Sequence, residues 1–509
     1  MKFLKNIKMP IFKLNIFIAF IPVIFMLSGI ITDSFIDPEN NYPWLWLIFG
    51  GILSLTLSYF TGKRWEEMNK GIIEFMKIAW FPIFFLVTIG ALITIWKANG
   101  LIPSIIYYSA SVLKPEFLIP GVFIAGAIFS SVSGSSWTTF GTLGAIVLTI
   151  VDTTYHDITL TLITAGSVMS GSYFGDRISP ISDTTIYPAA NSKVDVIQHV
   201  KVSLPVVISS AILSFILYVI LGFVFSSSGA DLQSNIDNMK SIMNDNIVIN
   251  GWIIASLLLF IPTIMMRINI LGVLWINLAL GVILLFGVQH KDFWEFMSTI
   301  KGGSSPYEHA IKTSDTSYWI HEGSRRIMAS DGIQGSLETI IFVLSSLFFA
   351  SSLKVLGTFD VLLKGLLKLI KGPKTLIIVS GLTGGLFAFM SSDQSVGCNI
   401  NPTFYNEIYD KYGVNRLNLS RGTDNTATVL VPLMPWSSDR AAFTGRAMAG
   451  TSMSSMSTGN YLKIGLFSFF LWFTTIIGLL FVIFDLFQVN KEGKIQFRGG
   501  IKSYTEKRG

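Results

Sequence analysis

Four clusters of polar residues interrupt or border the apolar stretches of this 509-residue chain. They occupy residues 133–141, 170–185, 391–397, and 420–428 with 432–440. Their Gly and Pro residues interrupt helices and free backbone carbonyl and amide groups, which membranes tolerate only where they line protein or a water-filled cavity. Freed carbonyls, hydroxyls and carboxylates are hard oxygen ligands. The clusters therefore predict binding of a small cation such as Na⁺.

Carboxylates in these clusters determine which chemistry is available. An ionised side chain at the centre of a membrane helix costs at least ~3 kcal/mol, so an acid there binds a cation or takes up a proton. Competition between cation and proton for one carboxylate produces exchange. The candidate carboxylates, which we also regard as Na⁺ ligands, are Asp176, Asp183, Asp393 and Asp424. The candidate neutral ligands are Ser133, Ser135, Thr138, Ser182, Thr184, Gln394, Asn425 and Thr428.

Internal ion pairs are the alternative explanation for acids in apolar surroundings. Asp176 is followed by Arg177, and Asp439 is followed by Arg440. Neighbours in a regular helix point in different directions, but in an interrupted segment they can pair. Asp439 therefore fits a structural role as well as a functional one.

Other acidic and aromatic residues and the histidines are not candidate ion ligands. Asp152 and Asp157 are interpreted as ordinary loop acids, while Trp137 and Trp436 lie where they would wall a site. The histidines are interpreted as loop residues because they lie far apart, mostly in polar stretches; they are His156, His199, His290, His309 and His321. We therefore expect no cofactor.

The composition indicates that much of the protein is surrounded by lipid and not by water. Charged residues make up 13% of the chain and hydrophobic residues 51%, whereas a soluble domain has about 25% charged residues. The single cysteine excludes an internal disulfide. The net charge of +6 comes from basic residues that flank apolar runs, which is typical of membrane helix ends and argues against nucleic acid as a partner.

Apolar runs of about the spanning length recur along the chain and predict about 10–13 membrane segments in an all-α polytopic protein. The runs lie at 12–32, 43–61, 75–97, 116–131, 141–151, 158–174, 200–226, 250–266, 270–288, 336–353, 374–390, 427–436 and 460–486. The N-terminal run is long enough to span, so we interpret it as a retained helix and not as a cleaved signal. Lysines lie around 63–77 and 354–374 and in the tail, and such basic segments mark the cytoplasmic side. We therefore expect a protein of the cell membrane with both termini in the cytoplasm.

The apolar runs and their predicted orientations also predict two inverted-topology repeats with broken or re-entrant helices. The run 75–97 should cross outward and 336–353 inward, and each is followed by a short amphipathic segment and by an apolar stretch that ends in a polar break. Long helices at 200–226 and 460–486 would close the halves; chance similarity is the alternative. The expected parts are an N-terminal helix pair (1–72), repeat 1 (73–228), a linker with two membrane helices and an extracytoplasmic loop (229–335), repeat 2 (336–487) and a cytoplasmic tail (488–509).

At the polar clusters the chain resembles the NhaC-type sodium/proton antiporter family, which includes malate/lactate-type and amino-acid-type exchangers. Residues 133–142 resemble its SGSSWxTxGT stretch, and 175–185 resemble its GDxxSPxSDTT signature. Asp393-Gln394, 419–421 and 432–436 resemble its DQ, LSR and PLxPW elements. Where the family often has Glu-Asp, this chain has Asp424-Asn425, one carboxylate fewer. The resemblance implies a two-repeat ion transporter working by alternating access.

Three functions are compatible with these residues, and none is an enzyme. The first is Na⁺/H⁺ antiport at the candidate aspartates. The second is Na⁺- or H⁺-coupled transport of an organic acid or amino acid, whose carboxylate the hydroxyl-rich segment 130–139 would hold. The third is a passive channel, which would favour rings of like residues. The expected partners are the lipid bilayer, small cations and, under the second hypothesis, a small carboxylate solute. A homodimer is one oligomeric state compatible with the sequence.

Overall fold

The architecture is described from a computed structural model of the chain. It describes residues 14–36, 42–77, 80–109, 115–155, 157–225, 240–241, 243–256, 270–302, 332–448, 451–453 and 458–504. Regular secondary structure in these residues is helical apart from one two-stranded hairpin near the C-terminus. The predicted all-α fold is confirmed.

Six helices in the described part of the chain are long and apolar enough to cross a membrane. They are Ile16–Ile36, Pro43–Phe60, Pro115–Ser133, Val196–Val224, Leu337–Leu356 and Pro373–Ser391. Thr458–Phe467 and Phe469–Ile483 form a seventh crossing if this pair, bent by 58°, is one span. Ile83–Ala98 and Leu271–Gly287 are shorter apolar helices. The chain is therefore a multi-pass membrane protein, and the predicted 10–13 segments also include short and interrupted runs.

The N-terminal part and the first half supply eleven labelled helices. The N-terminal helices are α1 (Ile16–Ile36), α2 (Pro43–Phe60) and α3 (Trp65–Met76). The first half contains α4 (Trp80–Ala98), α5 (Leu101–Ser109), α6 (Pro115–Ser133), α7 (Ser136–Thr139, continued by a π-helical turn Phe140–Gly144), α8 (Ala145–Tyr155), α9 (Ile158–Ile178), α10 (Asp183–Asn191) and α11 (Val196–Val224).

The second half follows three linker helices, α12 (Gly251–Ala255), α13 (Ile270–Gly287) and α14 (Phe293–Lys301). A 3₁₀ turn (Gln334–Ser336) leads into it. It contains α15 (Leu337–Leu356), α16 (Thr358–Leu367), α17 (Pro373–Ser391), α18 (Gln394–Tyr412), α19 (Arg416–Thr423, continued by a π-helical turn Asp424–Thr428 and a 3₁₀ turn Val431–Leu433), α20 (Ser438–Arg446), α21 (Thr458–Phe467) and α22 (Phe469–Ile483).

The two halves share one order of elements. In each, a long helix ends at a glycine with a left-handed backbone, Gly100 (φ 85°) or Gly357 (φ 88°), and a short helix follows. Next comes a 19-residue helix, α6 or α17, which starts with proline and ends at a break. Later, a second break precedes the nine-residue helix α10 or α20. This order is what a repeat predicts, and the inverted repeat itself stays a prediction.

In the first half, α6 packs parallel to α9. Ser167 Oγ donates to the Ile119 carbonyl at 2.7 Å, and Gly175 lies against Ala127 two turns further along both helices. A Cβ on Gly175 would collide with the Ala127 carbonyl. The close approach of the two backbones therefore depends on glycine.

The helices α7 and α8 return along α9 in the opposite direction. The rings of Phe140 and Tyr173 lie 5.8 Å apart, and at the end of the π-helical turn Gly144 faces Val168, which is earlier in α9. Since α6 and α7–α8 run in opposite directions beside the same helix, they form a hairpin. Its tip is the break at Gly134 and Ser135.

The helices α17 and α18 form the equivalent hairpin of the second half. The Ser380 and Tyr409 hydroxyls are 2.8 Å apart, and those of Thr383 and Tyr405 are 2.9 Å apart. Because residue numbers increase along α17 while those of their partners in α18 decrease, the two helices are antiparallel. Its tip is the break before Gln394.

The last membrane helix of the second half differs from its prediction as one long helix over 460–486. The chain bends by 58° at Ser468, between α21 and α22. The Tyr218 hydroxyl donates to the Phe467 carbonyl at 2.7 Å and lies 3.3 Å from the Phe469 amide. Its partner Ser170 Oγ is 2.6 Å away. The bend is tolerated because side chains of the first half satisfy the backbone groups that it frees.

The tail carries an antiparallel hairpin that was not predicted, β1 (Leu486–Val489) and β2 (Ile495–Arg498). Asn418 Nδ2 and the Tyr504 hydroxyl both donate to the Val489 carbonyl, at 3.0 and 2.6 Å. Burial raises the pKa of Tyr504 to about 12, so this hydroxyl stays a donor at neutral pH. The hairpin is thereby fastened to α19.

Some sequence predictions concern residues outside those described. The predicted span 250–266 is described only over its first part, where α12 lies. Three of the histidines, His156, His309 and His321, and most of the loop 289–335 are likewise outside the described residues. The basic segment around residues 63–77, which was used to predict the cytoplasmic side, contains α3.

Candidate functional site

Four breaks in membrane helices surround the candidate residues, two in each half. In the first half they lie at 134–135 and 179–182, and in the second at 392–393 and 434–437. Gly134 (φ 67°) and Ser392 (φ 64°) both have left-handed backbones at the hairpin tips. For serine this conformation costs about 1–2 kcal/mol, so the fold holds it against a local preference.

The two breaks of each half are in contact. A Cβ on Gly134 would lie 2.7 Å from Ile181, in the other break of the first half. In the second half, the Ser438 amide donates to the Ser392 carbonyl at 3.0 Å. The interrupted backbone segments thus lie against each other, so that backbone polar groups freed at one break can be satisfied by groups at the other within the membrane.

Asp393 caps the helix that starts at the second hairpin tip. It is 8% exposed, and its Oδ1 accepts the Ser395 amide at 2.8 Å. Its Oδ2 accepts the Ser438 hydroxyl from the neighbouring break at 3.0 Å. No described basic side chain forms an ion pair with Asp393. Gln394, also predicted, follows it at the start of α18 and is buried.

Asp176 lies near the end of α9, just before the break at 179–182. It is fully buried, and Ser182 Oγ donates to its carboxylate. The hydroxyls of Ser182 and Thr184 are 2.7 Å apart. The structure therefore brings three predicted residues together around one break. Asp183 starts α10, but its side chain lies outside the described part, so its role stays a prediction.

Asp424 is held in a buried salt bridge. Arg177 donates to Asp424 Oδ2 from Nε at 3.0 Å and from Nη2 at 2.5 Å, and both side chains are fully buried. Arg177 Nη2 also donates to Asn425 Oδ1 at 2.8 Å, and Thr428 Oγ1 donates to Asp424 Oδ1 at 2.9 Å. Arg177 therefore pairs across the two halves, which differs from the alternative of a pair with its neighbour.

His199 completes this cluster, although its sequence context suggested a loop residue. It is fully buried in α11. Its Nδ1 is 2.6 Å from the Ser420 hydroxyl and its Nε2 is 3.5 Å from Asp424 Oδ2. The loop interpretation of His199 is wrong, because residue 199 belongs to the first turn of a helix that packs on the second half.

Asp152, interpreted as a loop acid, is also placed differently by the structure. It lies in α8, is 7% exposed, and accepts the Ser452 amide at 2.7 Å and the Ser452 hydroxyl at 2.6 Å. Asp157 caps α9 by accepting the Thr159 amide at 2.7 Å. Both acids thus stabilise helix positions.

Asp439 joins the two halves at the first hairpin tip. Trp137 Nε1 donates to its Oδ1 at 2.9 Å, and the Tyr173 hydroxyl donates to the same oxygen. The following residue, Arg440, donates to the Pro435 carbonyl at 2.6 Å and lies over the Tyr461 ring. Tyr173 was not singled out from the sequence, although it lies in the second polar cluster.

The hydroxyls predicted around the first hairpin tip are arranged by the break itself. Ser135 caps α7 by accepting the Thr138 amide at 3.2 Å. Ser133 Oγ is 3.4 Å from two carbonyls of the same turn, those of Ser130 and Ser135. The Thr138 hydroxyl is buried and has no hydrogen-bond partner among the described residues.

The predicted residues therefore fall into separate groups at the breaks. No three or more His, Cys, Asp or Glu side chains in the described part are grouped to hold a metal ion. A cation at a break would thus meet at most two such side chains, with hydroxyl and carbonyl oxygens completing its shell.

Comparison with known proteins identifies the family to which the chain is similar. The model of the Na⁺/H⁺ antiporter family matches residues 3–223 and 207–486. The malate-2H⁺/Na⁺-lactate antiporter of Bacillus subtilis is 27% identical over 86% of this chain and 87% of its own. The Na⁺/H⁺ antiporter NhaC of the same organism is 25% identical over 90% and 95%. The arginine/ornithine antiporter ArcD of Halobacterium salinarum is 27% identical over 79% of each.

Proposed function

Because the chain belongs to the Na⁺/H⁺ antiporter family and is therefore a secondary transporter, we propose that it exchanges Na⁺ for H⁺ at buried aspartates beside its helix breaks. Asp176 and Asp393 are the carboxylates that take up the ions. Ser182, Thr184 and Gln394 contribute neutral oxygens, and the protein acts in the cell membrane with both termini in the cytoplasm.

The environment of Asp393 carries this proposal. Its carboxylate is buried, yet its described hydrogen bonds come from one amide and one hydroxyl, and no described cation balances it. A buried carboxylate without a permanent counter-ion is stable when it binds a cation or a proton. That is the requirement for a group that carries Na⁺ and H⁺ in turn.

Asp424 has a different role in the proposal. Arg177 already balances its charge with both partners fully buried, so binding of Na⁺ or H⁺ there would first have to break a buried ion pair. We assign the cluster of Asp424, Asn425 and Thr428 to holding the halves together. Asp183 remains a candidate third carboxylate.

Packing between the halves supports the proposed inverted arrangement, one of the repeat architectures that secondary transporters use. Asn191, at the end of α10, donates to Asn399 at 2.7 Å, and His199 contacts Ser420. Asn399 belongs to α18, so the end of α10 lies beside α18. The start of α11 lies beside α19, where Val202 packs with Leu417 near the start of that helix. Since α6 and α9 start at the other end of the first half, the equivalent starts of the two halves lie at opposite ends.

Proteoliposomes with an internal pH dye test the exchange. Adding Na⁺ outside should drive Na⁺ inward and H⁺ outward, so the lumen becomes alkaline. Asp393→Asn and Asp176→Asn should each abolish this signal, because an amide binds neither ion in exchange for the other.

Asp157→Asn is the matched control, since Asp157 also caps a helix and Asn preserves the cap. It should retain the wild-type signal. Wild-type exchange by the folded Asp393→Asn protein would refute the assignment of this carboxylate.

A second candidate function is coupled transport of an organic acid or amino acid. It is favoured by the names of two relatives, the malate-2H⁺/Na⁺-lactate antiporter and the arginine/ornithine antiporter. The same liposomes separate the two functions. A pH signal that requires malate, lactate or arginine in addition to Na⁺ would replace simple cation exchange with solute exchange.

A further inference from the structure

Another buried charge lies outside the proposed ion site. Arg446, the last residue of α20, is 4% exposed, and its Nη2 donates to the Leu86 carbonyl of α4. Its Nε has no hydrogen-bond partner, and no carboxylate in the described part of the chain forms an ion pair with it. By contrast, Arg177 forms an ion pair with Oδ2 of Asp424.

The Ser336 hydroxyl lies beside this guanidinium. Ser336 is fully buried, and its Oγ has no hydrogen-bond partner among the described residues. A Cβ on Gly90 would collide with Ser336 Oγ and would lie 2.7 Å from Arg446 Nη1. The absence of a side chain at residue 90 thus lets the two donors approach the same stretch of α4.

The position of Ser336 adds a third positive contribution. It is the N-cap residue of the 20-residue helix α15, and a helix N-terminus carries a partial positive charge. A buried arginine without a counter-ion is costly, whereas its planar fork binds carboxylates and other anions well. Two unsatisfied donors and a helix N-terminus therefore converge on one location.

We propose that Arg446 and Ser336 form a binding site for a small monovalent anion, either a carboxylate group or a halide. Arg446 follows Asp439 by seven residues, which places it on the same face of α20 roughly 10 Å further along the axis. The anion site uses neither Asp176 nor Asp393, so it goes beyond the proposed exchange.

Thermal unfolding of the purified full-length protein tests the site. Choline chloride, choline formate and choline acetate are titrated at constant pH, so that Na⁺ is absent. The unfolding midpoint of the wild type should start to rise once the anion concentration exceeds its Kd and then increase with the logarithm of the concentration. Ser336→Ala should need about tenfold more anion for the same rise, as expected for one lost hydrogen bond to a charged group. Arg446→Gln should show no such rise.

Arg416→Gln is the control, because Arg416 pairs with Asp410 at the surface; it should respond as the wild type does. Ser336→Ala removes a hydroxyl without a hydrogen bond to any described residue, so it should fold normally even if Arg446→Gln does not. Equal responses of the wild type and Ser336→Ala, or no rise in the wild type, would overturn the proposal.

The choice of anion identifies the ligand. Protection by formate and acetate but not chloride assigns a carboxylate group, and equal protection by chloride assigns a halide site. Because the readout is stability without Na⁺, it is independent of Na⁺/H⁺ exchange, and either proposal can fail alone.

Discussion

Single buried charges in this protein differ in what balances them. Asp424 has Arg177, and Asp439 has the indole and phenol donors of Trp137 and Tyr173. Asp393 accepts only an amide and a hydroxyl among the described groups. Since an unbalanced buried charge is unfavourable, these environments favour a structural role for Asp424 and support the proposed ion-binding role of Asp393.

The Arg177–Asp424 pair gives a prediction at this scale. Arg177→Gln alone or Asp424→Asn alone should destabilise the protein by about 3–5 kcal/mol, because each leaves one buried charge unpaired. The double variant should recover part of this loss and should retain Na⁺/H⁺ exchange. Thermal unfolding and the liposome assay measure both effects. A stable double variant that has lost exchange would show that Asp424 itself carries ions.

Tyr173 offers a milder test of the Asp439 contact. Tyr173→Phe keeps the ring against Phe140 but removes the hydroxyl that donates to Asp439. It should cost about 1–3 kcal/mol of stability, since a charged acceptor loses a buried donor. Unfolding of wild type and variant in the same detergent measures the difference. An unchanged midpoint would mean that Trp137 alone suffices.

Helices in the first half approach through glycine. Gly171 and Gly175 of α9 face the backbone of α6 near Phe123 and Ala127. Small residues at such contacts let membrane helices pack closely. The glycines therefore position the end of α9, with Asp176, against the first hairpin.

Adding a methyl group should separate these helices. Gly175→Ala places a Cβ against the Ala127 carbonyl and 2.7 Å from the Ser131 amide, and backbone atoms cannot move aside as a side chain does. We expect a loss of about 1–3 kcal/mol and reduced exchange. Gly121→Ala in α6 is the control, because a Cβ there meets nothing within 4 Å. Equal stability of both variants would contradict the close packing.

At the scale of the molecule, the halves are joined by polar contacts between distant residues. Arg177–Asp424, His199–Ser420 and Trp137–Asp439 all cross from one half to the other. An alternating-access movement of one half against the other would have to preserve or exchange these contacts.

Cysteine labelling tests the inverted arrangement. Thr159→Cys and Lys411→Cys place thiols at exposed positions near equivalent ends of the two halves. In sealed right-side-out vesicles an impermeant thiol reagent should label residue 159 but not residue 411. The wild type, whose single cysteine, Cys398, is buried, should not react. Labelling of both positions from one side would exclude the inversion.

The sequence by itself determined long spans and the breaks at the two hairpin tips. Apolar length defined spans such as α6 and α17, and Gly, Pro and Ser marked the breaks at 134 and 392, because these are local properties of the chain. What each charge does was decided only by tertiary structure. Arg177 and Asp424 are 247 residues apart, and no local pattern indicates which buried acid such a distant arginine will neutralise. The bend at Ser468 and the burial of His199 depend in the same way on the opposite half.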